Sequence, residues 1–312
     1  MKCYNVTLNA KGPGDKSFLV MKAVAAGLAL VFILGHAAPV IAAEDKIAVV
    51  AAENFYGDIA RQIGGDRTAV VGIINNPDQD PHLFETTPTT VRQIAGAQLV
   101  ILNGANYDPW MEKLLAAAPR PTRAVINVAQ LTGRKPGDNP HLWYDPATMP
   151  AVASAIADAL SKADAVHAAD YAARLKATLS SLAAVTQRVA QLKAKHAGAA
   201  VTATEPVFGP MADALGLVMR NQRFQLSMMN DTEPSARDIA AFERDLRDRK
   251  VKVLIYNNQV SEKLTERLRE LASKSKVPVV GVSETMPPNT SFQDWLIGEL
   301  DAIDKALSGP NA

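Results

Sequence analysis

AVHAADYAARLKATLSSLAAVTQRVAQLKAKH, residues 165–196, is the stretch on which the fold turns. It holds neither glycine nor proline, and the next helix breaker is Gly198. Leu175, Leu179, Leu182, Val185, Val189 and Leu192 recur every three or four residues, so one face is buried along its whole length. A helix of about 30 residues spans ~45 Å. That is too long for one compact lobe and suited to joining two.

On both sides of it, apolar strand-length runs alternate with amphipathic stretches. Strands are predicted at 47–52, 68–74, 98–102 and 124–128, with helices over 54–63, 88–95, 109–117 and 147–163. After the long helix the alternation restarts. Strands are predicted at 199–204, 217–220, 251–256 and 277–282, and helices at 206–215, 234–249, 261–273 and 292–307. Repeated β-α units imply mainly parallel sheets covered by helices. The expected architecture is therefore bilobed α/β: a lobe over 44–164, a linking helix over 165–198, a second lobe over 199–312, and a ligand cleft between the lobes.

The N-terminus reads as an export signal. Lys2, Lys11, Lys16 and Lys22 precede an uncharged run from Ala23 to Ala43, broken by Gly35 and Pro39 and closed by small residues. This pattern predicts a cleavable signal peptide over 1–43, cut near Ala42 or Ala43. A membrane anchor is the competing reading, because the run could just span a bilayer, but Gly35, His36 and Pro39 weaken it as a helix. Met21 is an alternative start. The one cysteine, Cys3, precedes the apolar run, so it is not placed to be acylated after it, and the mature chain is expected to lack thiols and disulfides. An exported protein that needs no disulfide fits the periplasm. Thirty-three basic against 32 acidic side chains leave a formal charge of +1, which offers no electrostatic footprint for nucleic acid.

A short phrase occurs twice. Asp80-Pro81-His82-Leu83-Phe84 returns as Asn139-Pro140-His141-Leu142-Trp143, and Pro88 or Pro146 soon follows. An Asx-Pro pair starts a turn, and the bulky pair after the histidine anchors it to a core. Two of only five histidines thus share one context, as two ligands of one metal ion would. Ligands in open α/β sheets gather beyond the carboxyl ends of strands. Two acids occupy such positions in the second half: Glu205 after the strand at 199–204 and Glu284 after that at 277–282. His82, His141, Glu205 and Glu284 form the candidate metal set. Two imidazoles and two carboxylates suit Mn²⁺, Fe²⁺ or Zn²⁺.

These phrases, with Glu85, Asp145-Pro146 and the long helix, resemble the zinc- and manganese-binding solute receptors of bacterial ABC importers, the TroA and ZnuA type. The resemblance covers about residues 47–307. It implies a receptor, not an enzyme, that carries one divalent ion as cargo to an inner-membrane ABC permease. It assigns the first two ligands to His82 and His141, the third to Glu205 and the fourth to Glu284. That last place is usually an aspartate, so Glu284 departs from the pattern. Many zinc members carry a histidine-rich acidic insertion between the first two ligand loops, where this chain has only Leu131–Asp138 without a histidine. A glutamate in third place resembles manganese- or iron-type members, so the cargo leans toward manganese over zinc.

Metal binding needs neutral imidazoles, so affinity is expected to fall below about pH 6.5. Glu85, Asp145 and Asn139 are candidate partners for the outer imidazole nitrogens. The long helix is expected to limit lobe motion, and the protein is expected to be a monomer. His167 and His196 are read as surface residues of the long helix. The main rival reading is a periplasmic metal-dependent hydrolase using the same cleft, against which stands the absence of an HExxH helix or a Gly-x-Ser-x-Gly elbow. A third is a surface adhesin stabilised by metal.

Overall fold

Valine, isoleucine and alanine dominate the short strands because both faces of each sheet are covered by helices. In the computed structural model the residues described are 46–309, apart from 78–80, 82–83 and 261. The signal-peptide reading of 1–43 lies outside them. The first half runs β1 (Ile47–Glu53), α1 (Asn54–Gly64), β2 (Thr68–Ile74), α2 (Pro88–Gly96), β3 (Leu99–Leu102), α3 (Pro109–Ala117), β4 (Ala124–Asn127), α4 (Val128–Leu131) and α5 (Thr148–Ala163). The long helix is α6 (Ala168–His196). The second half runs β5 (Ala200–Ala203), α7 (Gly209–Ala214), β6 (Val218–Arg220), α8 (Gln222–Met229), α9 (Ala236–Arg247), β7 (Leu254–Asn257), α10 (Lys263–Lys274), β8 (Val279–Val282) and α11 (Phe292–Leu307). Among the described residues no helix is long and apolar enough to cross a membrane.

Each half folds into a four-stranded parallel sheet, ordered β2-β1-β3-β4 and β6-β5-β7-β8. The two orders are the same, so the halves are topological copies whose switch point falls beside β1 and beside β5. Both sheets therefore offer a crevice at their carboxyl ends.

The long helix begins three residues later than its periodicity predicts, because Ala165–His167 closes into a 3₁₀ turn. Tyr171, Thr178, Leu182, Val185, Val189 and Leu192 form its buried stripe. α8 is an element that the sequence reading missed. Half of its residues are apolar, but Leu226 is exposed, and the buried face consists of Phe224, Gln225 and Met228. Phe224 sets its ring 4.7 Å from that of Phe242 on α9, so tertiary packing rather than periodicity decides that helix.

One hydrophobic core joins both halves. Val49 and Ile101 of the first sheet, Val201 and Ile255 of the second, and residues of α1, α5, α6 and α11 belong to a single buried cluster. Smaller clusters sit on the outer faces, one around Ile94 and Met111 and one around Phe242 and Leu268. Two lobes with a shared core resist hinge opening, because opening would expose apolar surface at roughly 25 cal/mol per Å².

Polar contacts add to this at the end of α6. Asp304 on α11 accepts from Arg188, Lys195 and His196 at 2.7–2.9 Å. His196 is thus not a free surface residue; its side chain is only 9% exposed. His167 likewise pairs with Asp164 at 2.8 Å. The hydrogen bond from His196, followed by that from Lys195, holds the Asp304 carboxyl well below the usual carboxylate range.

Two measurements check this packing. Leu182→Ala should lower the unfolding free energy by ~2–5 kcal/mol, whereas exposed Lys176→Ala should change it by less than about 0.5 kcal/mol. A depressed carboxylate stabilises above its ordinary value and loses that effect on acidification. Asp304→Asn should therefore be less stable than wild type at pH 7, with the gap closing as the pH falls below 3.8.

Candidate metal centre

The second histidine phrase is held by an asparagine whose orientation is fixed from outside. Asn139 Nδ2 donates to the Pro206 carbonyl at 2.8 Å, which turns its Oδ1 toward His141. That oxygen accepts from the His141 backbone N–H at 3.0 Å and lies 2.7 Å from Nδ1 of the ring. Nδ1 must then carry the proton, leaving Nε2 with a free lone pair. Gly209 makes the arrangement possible, since a Cβ there would stand 2.8 Å from Asn139 Nδ2. Leu142 and Trp143 are buried behind the ring, as the phrase predicts.

His141 is 1% exposed, and its Nε2 makes no hydrogen bond. It faces Glu284 Oε2 at 3.3 Å, outside hydrogen-bonding geometry. Glu284, also 1% exposed, accepts from Tyr107 Oη at 2.9 Å. Burial, then the charge of Glu284, pushes the Tyr107 phenol well above its usual range, so it stays a donor.

Glu205 is 7% exposed and stands at the cap position of the 3₁₀ turn Pro206–Phe208 without capping it. Its tie to Glu284 is Asn257, at the end of β7. One amide nitrogen donates to Glu205 Oε2 at 2.8 Å and to Glu284 Oε1 at 2.7 Å. In the sheet β7 lies between β5 and β8, so Asn257 falls between the acids that follow those two strands. The sequence reading missed this residue; its signal was a polar side chain ending an apolar strand at the ligand edge.

The structure thus brings His141 and Glu284 together directly and holds Glu205 one amide away. Among the described residues no three His, Cys, Asp or Glu side chains close into a ready metal cluster. His82 lies outside the described residues. Its flanking Phe84 is placed, with its ring 4.5 Å from that of Trp110.

Of the expected outer partners, Asn139 alone is seen to hold the His141 ring. Asp145 instead pairs with Arg134 at 3.2 Å and accepts from the Ala147 N–H. A polar layer lies beneath the site. Asn103 donates to the Pro140 carbonyl at 2.9 Å and accepts from Tyr56 Oη at 2.6 Å. Asp108 accepts from the Asn103 and Gly104 N–H groups. Burial pushes Asp108 up to about 6 and, aided by the charge of Asp108, holds Glu53 well above the carboxylate range.

Two parallel-sheet lobes with a shared core, joined by one long helix and facing acids and a histidine across their junction, define a bilobed α/β binding protein. Residues 49–306 match the family of the periplasmic zinc-uptake complex component A, and the chain belongs to that family. It is 30% identical over 133 residues to the iron-binding protein YfeA of Yersinia pestis, a stretch covering 40% of this chain and 42% of that protein. It is 29% identical over 153 residues to the manganese ABC transporter substrate-binding lipoprotein scaA of Streptococcus gordonii, covering 45% and 49% respectively. These matches span less than half of either relative. Its fold is that of the periplasmic zinc binding protein TroA from Treponema pallidum, with a TM-score of 0.73 at 21% identity over 85% of this chain and 100% of the other. The solute-binding protein FpvC of Pseudomonas aeruginosa, solved with Mn²⁺, gives 0.69 at 19% identity over 84% and 98%.

Asn257→Leu removes both amide protons from between two buried carboxylates. It should lower the unfolding free energy by ~1–3 kcal/mol in urea titrations run at pH 7 with a chelator present.

Proposed function

We propose that this chain is the extracytoplasmic receptor of an ABC importer, which captures one divalent transition metal ion between its lobes and hands it to a membrane permease. The observation that carries the reading is the buried Nε2 of His141. Its tautomer is set by Asn139, it makes no hydrogen bond, and it faces an acid from the other lobe. A lone pair left unsatisfied in a buried site is costly unless a cation or a donor takes it up. Family membership supports the receptor role, and no observation favours a hydrolase.

The proposed ligands are His82, His141, Glu205 and Glu284, with His82 resting on the repeated phrase. Asn257 and Tyr107 hold the carboxylates, and Asn139 holds the ring, as outer partners of metal ligands do. Two imidazoles and two carboxylates would leave the bare site with charge −2, matched to a divalent ion. Glu205 in the third place favours manganese or iron over zinc as cargo, although zinc binds most such sites more tightly than manganese. The protein would act as a monomer, delivered across the inner membrane by a signal cleaved near Ala43.

The test is thermal melting and metal content of purified protein, prepared apo and titrated separately with Mn²⁺ and Zn²⁺. At 100 times the dissociation constant, binding should stabilise by ~2.7 kcal/mol, with one ion per chain. His141→Ala and Glu205→Ala should abolish the shift. Affinity should fall as the pH is lowered, because the imidazoles must be neutral to bind. No stabilisation by any divalent ion would sink the proposal.

A further inference from the structure

The loop that carries Glu284 is gripped from three sides. Gln259 Oε1 accepts from the Glu284 and Thr285 N–H groups. From the other lobe, Asn54 donates to the Met286 carbonyl at 2.7 Å and accepts from the Met286 N–H at 3.1 Å. The third grip is on Ser283, and it raises a question of protons. Tyr144 Oη lies 2.7 Å from the Ser283 carbonyl oxygen and 2.7 Å from Glu299 Oε2. A phenol has one proton and cannot donate fully to both acceptors. Meanwhile Glu299 Oε1 accepts from the Ser283 N–H at 3.2 Å and the Trp295 indole at 3.0 Å.

We propose that Glu299 is a positioning residue held as the neutral acid. Its Oε2–H donates to Tyr144 Oη, and Tyr144 donates to the Ser283 carbonyl. The Ser283 N–H returns to Glu299 Oε1, so the three groups form a closed ring in which each donor has one acceptor. The ring ties the residue before Glu284 to the segment Leu142–Tyr144 that follows His141, and so sets the distance between the two metal-facing groups. This role rests on the receptor reading above; the protonation itself does not.

The surroundings agree. Glu299 is buried, and that desolvation raises its carboxyl from 4.5 to about 8. Tyr144 is equally buried, and that burial pushes its phenol well above its usual range, so it keeps its proton. The groups bonded to Glu299 are a phenol, an indole and a backbone amide, with no cation among them. Charged groups on the helices packed against α11 engage its ends instead. Asp58 on α1 accepts from the Phe292 N–H, and Arg188, Lys195 and His196 on α6 bind Asp301 and Asp304. If Glu299 lost its proton, two acceptors would compete for the single Tyr144 hydrogen and the hold on Ser283 would loosen.

Glu299→Gln mimics the neutral acid, since its amide N–H can donate to Tyr144 while its oxygen still accepts. Difference infrared spectra of the apo protein at pH 7, wild type minus Glu299→Gln, should show the carbonyl stretch of a protonated carboxyl. That band should vanish as the pH rises through about 8. An acid with a raised folded pKa loses stability as the pH climbs from its unfolded to its folded value. Melting of wild type relative to Glu299→Gln should therefore decline between pH 4.5 and about 8 and run parallel above. For Mn²⁺ at pH 7, Glu299→Gln should bind within about twofold of wild type, while Tyr144→Phe, which breaks the ring, should bind about tenfold more weakly. Absence of the band, or equal loss of affinity in both variants, would overturn the proposal. A wild-type protein with the band but no metal binding would overturn the receptor reading and the positioning role with it, leaving the proton assignment intact.

Discussion

Two carboxylates and an imidazole are buried where two lobes meet, and the need to satisfy them governs the rest of the interface. Removing an unpaired carboxylate from water costs several kcal/mol, so each oxygen seeks a donor fixed in place. Asn257 supplies one amide proton to Glu205 and one to Glu284, and Tyr107 supplies a third donor from the other lobe. His141 is different: Asn139 takes its one N–H and leaves the opposite nitrogen unpaired. Among the described residues, the groups seen to hold these acids are an amide and a phenol, both neutral, an arrangement that suits a cation and comes from hydrogen-bond accounting rather than from residue count alone.

The same accounting explains why lobe placement and ligand placement are one problem. The Glu284 loop belongs to the second lobe, yet Asn54 and Tyr144 of the first hold its backbone. The Asn139 side chain belongs to the first lobe, yet the Pro206 carbonyl beside Glu205 sets its orientation. With a core running continuously through both halves, a large opening would break apolar contacts and these cross-lobe hydrogen bonds together.

Much of the architecture was legible from side-chain chemistry. The unbroken three-to-four spacing over Leu175–Leu192 marks the linking helix, and valine-rich runs mark the strands to within a few residues. α8 was not legible, since it owes its existence to Phe224 packing on Phe242 rather than to a local pattern. In the site, His141, Glu205 and Glu284 could be picked out because each follows a strand or an Asx-Pro turn. Asp145 looked as good a partner for the imidazole as Asn139, because both lie in the same phrase. Only the fold turns one toward the ring and the other toward Arg134.

The residue types at strand ends, the repeated turn phrase and the helix periodicity are local properties, and the chain alone determined from them a bilobed α/β protein with metal-capable side chains at one edge. Which groups share a proton, and which lone pair is left over, depends on atoms brought together from far apart in sequence. Asn257 lies between Glu205 and Glu284 only because β7 is inserted between β5 and β8. Glu299 meets Tyr144, 155 residues away, only because α11 packs back against the first lobe. Those pairings were decided by the tertiary structure, since hydrogen bonds act over a few ångströms and sequence spacing carries no such distance.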